Sequence, residues 1–385
     1  MLNFELYNPT RLLYGKGQIA EIANLIDKKS KVLIVYGGGS IKINGVYDQV
    51  VKALEGFEVV EFAGVEPNPR YETLIKAVEL IKREQVDFIL GVGGGSVIDG
   101  VKFISAAVHY QGDAIDIIKK KLHVNWKAMP YGAILTLPAT GSEMNCGAVV
   151  TIDATKEKLS FSGEVLYPVF SVCDPTVIAS LPEKQIANGL TDAFIHVLEQ
   201  YITYPQNAPV QDRFAEGILQ TLIEVAPTVL KDPTDYDAAM NYMWCCTMAL
   251  NGLISKGVVE DWVTHAIGHE LTALYGIDHG RTLAIIGPNL YRVMFDTKKA
   301  KLAQFGKRVF NLSGSEDEVA KQAIEEMVKF FHSLGIHTKL SDYTDEGEKA
   351  EEWIVNRFEE RGWIAMGEQK NITLDRVREI VRMSL

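Results

Sequence analysis

The chain lacks most of what marks a secreted, membrane-spanning or nucleic-acid-binding protein. It has only four cysteines in 385 residues, two of them adjacent at Cys245 and Cys246. That excludes a disulfide framework and fits a reducing compartment. Positive charge is in deficit: 39 Lys and Arg stand against 50 Asp and Glu, a formal charge of -11. A phosphate backbone or an anionic membrane is thereby excluded as the main partner, because both draw affinity from clustered cations. The longest basic run, Lys119-Lys120-Lys121, reads as a solvated loop. No apolar stretch approaches the ~20 residues of a spanning helix. The N-terminal MLNFELYNPTRLLYGKG has no basic region followed by an apolar core and a small-residue cleavage site. The expectation is a cytoplasmic protein.

What is present is ordinary globular composition, 47% hydrophobic and 23% charged, in a chain long enough for two packed domains. In the first half, KVLIVY (31–36) and DFILGV (87–92) read as buried strands, and between them GVYDQVVKAL and ETLIKAVELIKREQ carry apolar residues at helical spacing. Alternating strand and helix predicts a parallel sheet with helices on both faces. Beyond about Pro182 long helical periodicities take over, through PEKQIANGLTDAFIHVLEQYIT, FAEGILQTLIEVAPTVL, EDEVAKQAIEEMVKFFHSLG and DRVREIVRM. We therefore expect an α/β domain over 1–180 and an all-helical domain over 181–385.

Two GGGS tetrapeptides follow the two strands. Gly93-Gly94-Gly95-Ser96 precedes a helical pattern, so its backbone could approach a pyrophosphate at a helix N-terminus. The alternative is a tight strand-to-helix turn with no ligand, and the GxGxxG fingerprint is absent. After the earlier strand, Gly37-Gly38-Gly39-Ser40 has no acid where many dinucleotide enzymes bind the ribose 2′-hydroxyl. A small Ser40 with Lys42 nearby suits a 2′-phosphate, and so NADP over NAD.

Histidine is also scarce, eight in all, yet His265, His269 and His279 share one short window. His196 lies four residues after Asp192, so on a helix a carboxylate and an imidazole project from one face. A mixed Asp and His set suits Zn²⁺ or Fe²⁺ better than Ca²⁺ or Mg²⁺. Spacing leaves open which of the three windowed histidines are ligands. His109, His123, His332 and His337 have no such companions. Ser142 lacks a GxSxG context and reads as a loop hydroxyl, and Cys146 as a bystander.

The segments FELYNPTRLLYGKG, YGGGS, EPNP, VGGGSVIDGVKF, LTLPATGSEMN, DAFIHVLEQY, QDRFAEGI, LNGLISKGVVEDWVTHAIGHELTALYGIDHG and LSDYT resemble the iron-containing (group III) alcohol dehydrogenase family, in its branch of NADPH-dependent aldehyde reductases and butanol dehydrogenases. The resemblance runs nearly end to end. It implies a dehydroquinate-synthase-like fold with a dinucleotide-binding α/β domain and a helical metal-binding domain, a homodimer, and reduction of short-chain aldehydes with NADP(H) and one divalent metal. It implies Asp192, His196, His265 and His279 as metal ligands, with His269 left as a pocket residue suited to proton relay. Asp261, where many members have His, becomes a candidate partner for His265. Cofactor contacts carry over to Gly38, Gly39, Ser40 and Asn68 on the adenosine side and to Gly94, Gly95, Ser96 and Asp99 around the pyrophosphate and nicotinamide. Thr136, Asn145, Gly147 and Lys158 follow along the dinucleotide, and Val177 stands at the nicotinamide-packing position. Trp262, Ile267, Leu271 and Tyr275 read as apolar lining of the metal region. Two rival readings share the motifs: a dehydroquinate-synthase-like lyase, which would need several cations in its cleft, and a dinucleotide sensor without turnover.

Overall fold

The β-branched runs become the strands the sequence predicts, because side chains stiff at Cβ pack well on a pleated surface. The computed structural model describes residues 1–385. The strands are β1 (Arg11–Tyr14), β2 (Lys31–Tyr36), β3 (Glu58–Phe62), β4 (Phe88–Gly94) and β5 (Tyr131–Leu137), then β6 (Gly147–Ile152), β7 (Glu157–Ser162) and β8 (Phe170–Cys173). Six of them form one sheet in the order β1-β8-β5-β4-β2-β3, all parallel. The other two, β6 and β7, make a separate antiparallel hairpin that the periodicity did not reveal.

Helices α1 (Ser40–Ile43), α2 (Val46–Ala53), α3 (Tyr71–Glu84), α4 (Gly95–Ala107) and α5 (Ile115–Lys119) connect these strands. From β2 the chain moves outward to β3, and from β4 it moves the other way to β5. The carboxyl ends of β2 and β4 therefore flank the point where the strand order reverses, the usual ligand crevice of an open α/β sheet. Tyr36 and Val92 are register partners there, so both GGGS tetrapeptides leave the sheet side by side. Their likeness reflects a shared place in the sheet.

The rest is helical: α6 (Glu183–Tyr201), α7 (Pro209–Lys231), α8 (Tyr236–Ala249), α9 (Val263–Tyr275), α10 (His279–Val293), α11 (Phe295–Val309), α12 (Glu316–Ser333), α13 (Lys349–Glu360) and α14 (Leu374–Met383). A two-residue ribbon, β9 (Ala365–Met366) with β10 (Ile372–Thr373), is the one strand pairing in this half. By packing, the chain forms two units. One holds Tyr7–Pro182 and Asp232–Thr247, the other Met1–Leu6, Glu183–Lys231 and Met248–Leu385. All of α6 from Ile186 to Tyr201 is buried in the helical unit. Polar groups on that stretch need partners or a ligand. No helix is long and apolar enough to cross a membrane.

Candidate active site

At the end of β2, Gly38 and Gly39 face open space, with nothing within 4 Å of where a Cβ would sit, and Gly39 holds φ +97°, in the left-handed region. The second tetrapeptide is glycine for a different reason. A Cβ on Gly93 would come within 2.5 Å of Val97, and one on Gly95 within 2.3 Å of Thr140. Close packing of the turn thus dictates those two glycines, while the uncapped first turn of α4 leaves its amides for a ligand. The Asn68 amide donates to Ser96 Oγ at 3.2 Å, which joins two of the expected cofactor residues.

Lys42 stands differently from expectation. Its Nζ pairs with Glu61 at 3.3 Å, and the hydroxyls of Tyr36 and Tyr47 also donate to that carboxylate. The Tyr47 bond, more than any other contact, holds Glu61 below its usual carboxylate range. The acid missing after β2 is thus supplied from β3, already neutralised, and Lys42 is committed to it.

Behind α4 lies a node that the sequence did not disclose. Lys102 is fully buried and donates to Ser142 Oγ at 2.8 Å, Asn145 Oδ1 at 2.8 Å and the Gly147 carbonyl at 2.7 Å. Ser142, expected to be a loop hydroxyl, is buried and donates to Asp99 Oδ1 at 2.6 Å, while the Val149 amide donates to Asp99 Oδ2 at 2.8 Å. One cation therefore ties Asn145 and Gly147 to the helix carrying Asp99. Burial pushes Lys102 down to about 8. Thr136 on β5, Lys158 on β7 and Val177 after β8 are all buried.

In the helical unit, Asp192 and His196 sit one turn apart on α6, His265 lies in the first turn of α9, and His279 opens α10. Gly276, at φ +69°, ends α9 and lets the chain turn back toward His279. Asp192 Oδ1 lies 3.6 Å from His196 Nδ1, 3.8 Å from His265 Nε2 and 3.7 Å from His279 Nε2. These separations are too long for hydrogen bonds but close to the ~3.4 Å edge of a donor tetrahedron built on ~2.0–2.1 Å metal bonds.

Donor atoms of Asp192, His265 and His279 all lie within 4.8 Å of one another. His196 flanks that trio, its ring stacked on His265 at 4.5 Å. His196 Nδ1 and His265 Nε2 are buried without a hydrogen-bond partner. Asp192, His265 and His279 fit a divalent ion, with His196 beside them. Burial pushes His196 down to about 4, which keeps it neutral, as a ligand must be. Burial also works against charge on His265, but Glu199 and Asp192 raise it to about 9, a proton that an ion would displace.

His269 is half-buried on the same helix as His265, its ring 4.9 Å from that of His279. Of the expected apolar lining, Trp262 lies against the imidazoles, 5.3 Å from His265 and 6.1 Å from His196. Ile267 and Leu271 are instead fully buried, and the Tyr275 hydroxyl donates to the Glu346 carbonyl at 2.8 Å. The expected link between Asp261 and His265 also needs correction. Asp261 Oδ1 accepts from the Val263 amide at 3.0 Å, and its Oδ2 meets Lys298 at 2.8 Å. The partner of His265 Nδ1 is Glu199. Asp192, His196 and Glu199 follow one another at four and three residues along one face of α6, a pattern present in the sequence.

Two family models cover this chain: "iron-containing alcohol dehydrogenase" over residues 9–175 and "Fe-containing alcohol dehydrogenase family, C-terminal" over 186–385. The chain belongs to the iron-containing alcohol dehydrogenase family. Within that family it is 50% identical over 383 residues to the NADPH-dependent aldehyde reductase YqhD of Escherichia coli, covering 99% of each chain. It is 40% identical over 391 residues to a probable NADH-dependent butanol dehydrogenase of Bacillus subtilis, covering 100% of both. A crystal structure of E. coli YqhD superposes with a TM-score of 0.98 at 49% identity, covering 100% of this chain and 99% of that one. The parallel α/β sheet followed by helices is thus the fold of this family of alcohol dehydrogenases.

Proposed function

We propose that the protein is a metal-dependent, NADP(H)-linked alcohol dehydrogenase that works mainly as a reductase of short-chain aldehydes to primary alcohols. The observation that carries this reading is the convergence of three imidazole nitrogens on Asp192 Oδ1 at 3.6–3.8 Å, with two of those nitrogens buried and lacking hydrogen bonds. The name of the E. coli relative supports the cofactor and substrate class. When bound, a divalent ion withdraws charge from a carbonyl oxygen and NADPH supplies a hydride. Asp192, His196, His265 and His279 would hold the ion. Gly38, Gly39, Ser40 and Asn68 would take the adenosine side and Gly94, Gly95, Ser96 and Asp99 the diphosphate, with Thr136, Asn145, Gly147, Lys158 and Val177 beyond. His269, half-buried beside His279, can pass a proton from solvent to the product oxygen. The test is loss of NADPH absorbance with butanal and a panel of aldehydes, with added Zn²⁺ or Fe²⁺ and after chelation. Turnover that survives exhaustive removal of metal would sink the reading.

Cofactor choice has its own test. A carboxylate facing a 2′-phosphate costs several kcal/mol. Ser40→Asp is therefore expected to lower kcat/KM with NADPH by ~10²-fold and to leave the NADH value close to the parent's. An unchanged NADPH to NADH ratio would place the 2′-phosphate elsewhere.

The Lys102 node makes binding depend on pH. A lysine lowered from 10.5 to about 8 holds fewer protons in the native than in the unfolded chain between those values, so its contribution to stability rises with pH through that window. Deprotonation has the opposite effect on the site: the amine keeps two donors for three acceptors. Because Lys102 holds Asn145 and Gly147, both proposed cofactor contacts, loosening it is expected to raise the NADPH dissociation constant, by ~10-fold at most, between neutral pH and pH ~9.5. Fluorescence titration across pH measures it, and Lys102→Met should flatten the rise.

A further inference from the structure

Helix α9 begins with an unanswered question. Its N-cap residue, Trp262, supplies no side-chain acceptor, so the first amides of the helix need partners from outside it. Asp261 serves the Val263 amide at 3.0 Å. Two residues on, the His265 amide donates to Glu199 Oε1 at 3.2 Å, and the other oxygen of the same carboxylate meets His265 Nδ1. Glu199 is buried, on α6, and both of its oxygens are spent on one residue of a different helix.

That double grip fixes three things. It places a negative charge at the positive end of α9, where a carboxylate is favoured. It sets the rotation of the His265 ring, because main chain and side chain are held by one rigid group. It also commits Nδ1 to Glu199, which leaves Nε2, 3.8 Å from Asp192 Oδ1, as the ring nitrogen that can bind an ion once the ion displaces its proton.

We propose that Glu199 is a positioning residue for the metal centre, holding His265 in the tautomer and orientation that let Nε2 bind the ion. This rests on the reading of Asp192, His196, His265 and His279 as the metal site. Carboxylates that hold a ligating imidazole in this way change metal affinity by ~10–100-fold when removed. Asp261, closer in sequence, cannot take the role, since its two oxygens are occupied by the Val263 amide and Lys298.

The experiment measures Zn²⁺ affinity of the full chain by chelator competition, and the visible absorption of the Co²⁺-loaded form, for the parent, Glu199→Ala and Glu199→Gln. Glu199→Ala should lose ~10–100-fold in Zn²⁺ affinity and Glu199→Gln ~3–10-fold, with the Co²⁺ bands shifted in both. A purely structural Glu199 would lower the melting temperature and leave the affinity and bands of the folded protein unmoved. Should Glu199→Ala not fold, the isosteric Glu199→Gln decides alone: Zn²⁺ affinity within ~2-fold of the parent and unchanged bands overturn the proposal. A parent chain that binds neither Zn²⁺ nor Co²⁺ would instead overturn the metal-site reading, and this proposal with it.

Discussion

His265→Ala is expected to bring metal content below ~0.1 ion per chain and to lower kcat/KM by at least ~10³-fold, since a bound ion contributes several kcal/mol to stabilising a developing oxyanion. Two defects coincide in this substitution. One donor of the cluster is lost, and Glu199 keeps a buried carboxylate with no imidazole to answer it. The second defect costs ~1–3 kcal/mol of stability, which makes the melting curve a readout independent of turnover. Saturating metal at ~10³ times its dissociation constant should stabilise the parent by ~4 kcal/mol and the variant not at all. His337→Ala is the matched control, because that histidine is exposed and its main chain meets only the Tyr343 hydroxyl. A metal-free His265→Ala protein with parental activity would refute both the site and the chemistry assigned to it.

The donors were legible in the sequence because their chemistry is local. Asp192 and His196 lie four apart on one helix, and the break at Gly276 separates His265 from His279 in a way that a reader of glycines can anticipate. Spacing alone did not choose among His265, His269 and His279; the resemblance did. What supports the donors was not read. A glutamate in a long helix ordinarily faces water, and only the burial of α6 makes the 192, 196, 199 face a single functional surface. Lys102 carries the same lesson. A lysine inside VIDGVKF suggests the solvent side of a helix, but α4 is buried almost all round, so the charge must be met by Ser142, Asn145 and Gly147 from forty residues onward. Lys42 shows the converse: close to Gly39 in the sequence, it reads as a cation available to a phosphate, but the register of β2 with β3 brings Glu61 to it.

Lys298 has no sequence signature at all, and its removal should be strongly destabilising. Its ammonium, 1% exposed, stands 2.8 Å from Asp261 and 3.1 Å from Glu368, whose side chains are 4% and 2% exposed, and it also donates to the Ile202 carbonyl at 3.0 Å. Lys298→Met leaves two buried carboxylates facing each other across the space of a lost cation. Breaking a buried charge cluster this way costs ~3–5 kcal/mol, against ~0–1 kcal/mol for an exposed pair such as Lys321 with Asp317. At ~2–4 °C per kcal/mol, the melting temperature of Lys298→Met should fall by ~6–20 °C, and that of Lys321→Ala by ~4 °C at most. The penalty arises from uncompensated charge and not from a missing contact. Adding Asp261→Asn and Glu368→Gln to Lys298→Met should therefore restore a substantial part of the loss, although it removes still more ionic partners. If the triple variant is less stable than the single one, the cluster acts through net attraction, and the charge argument is wrong.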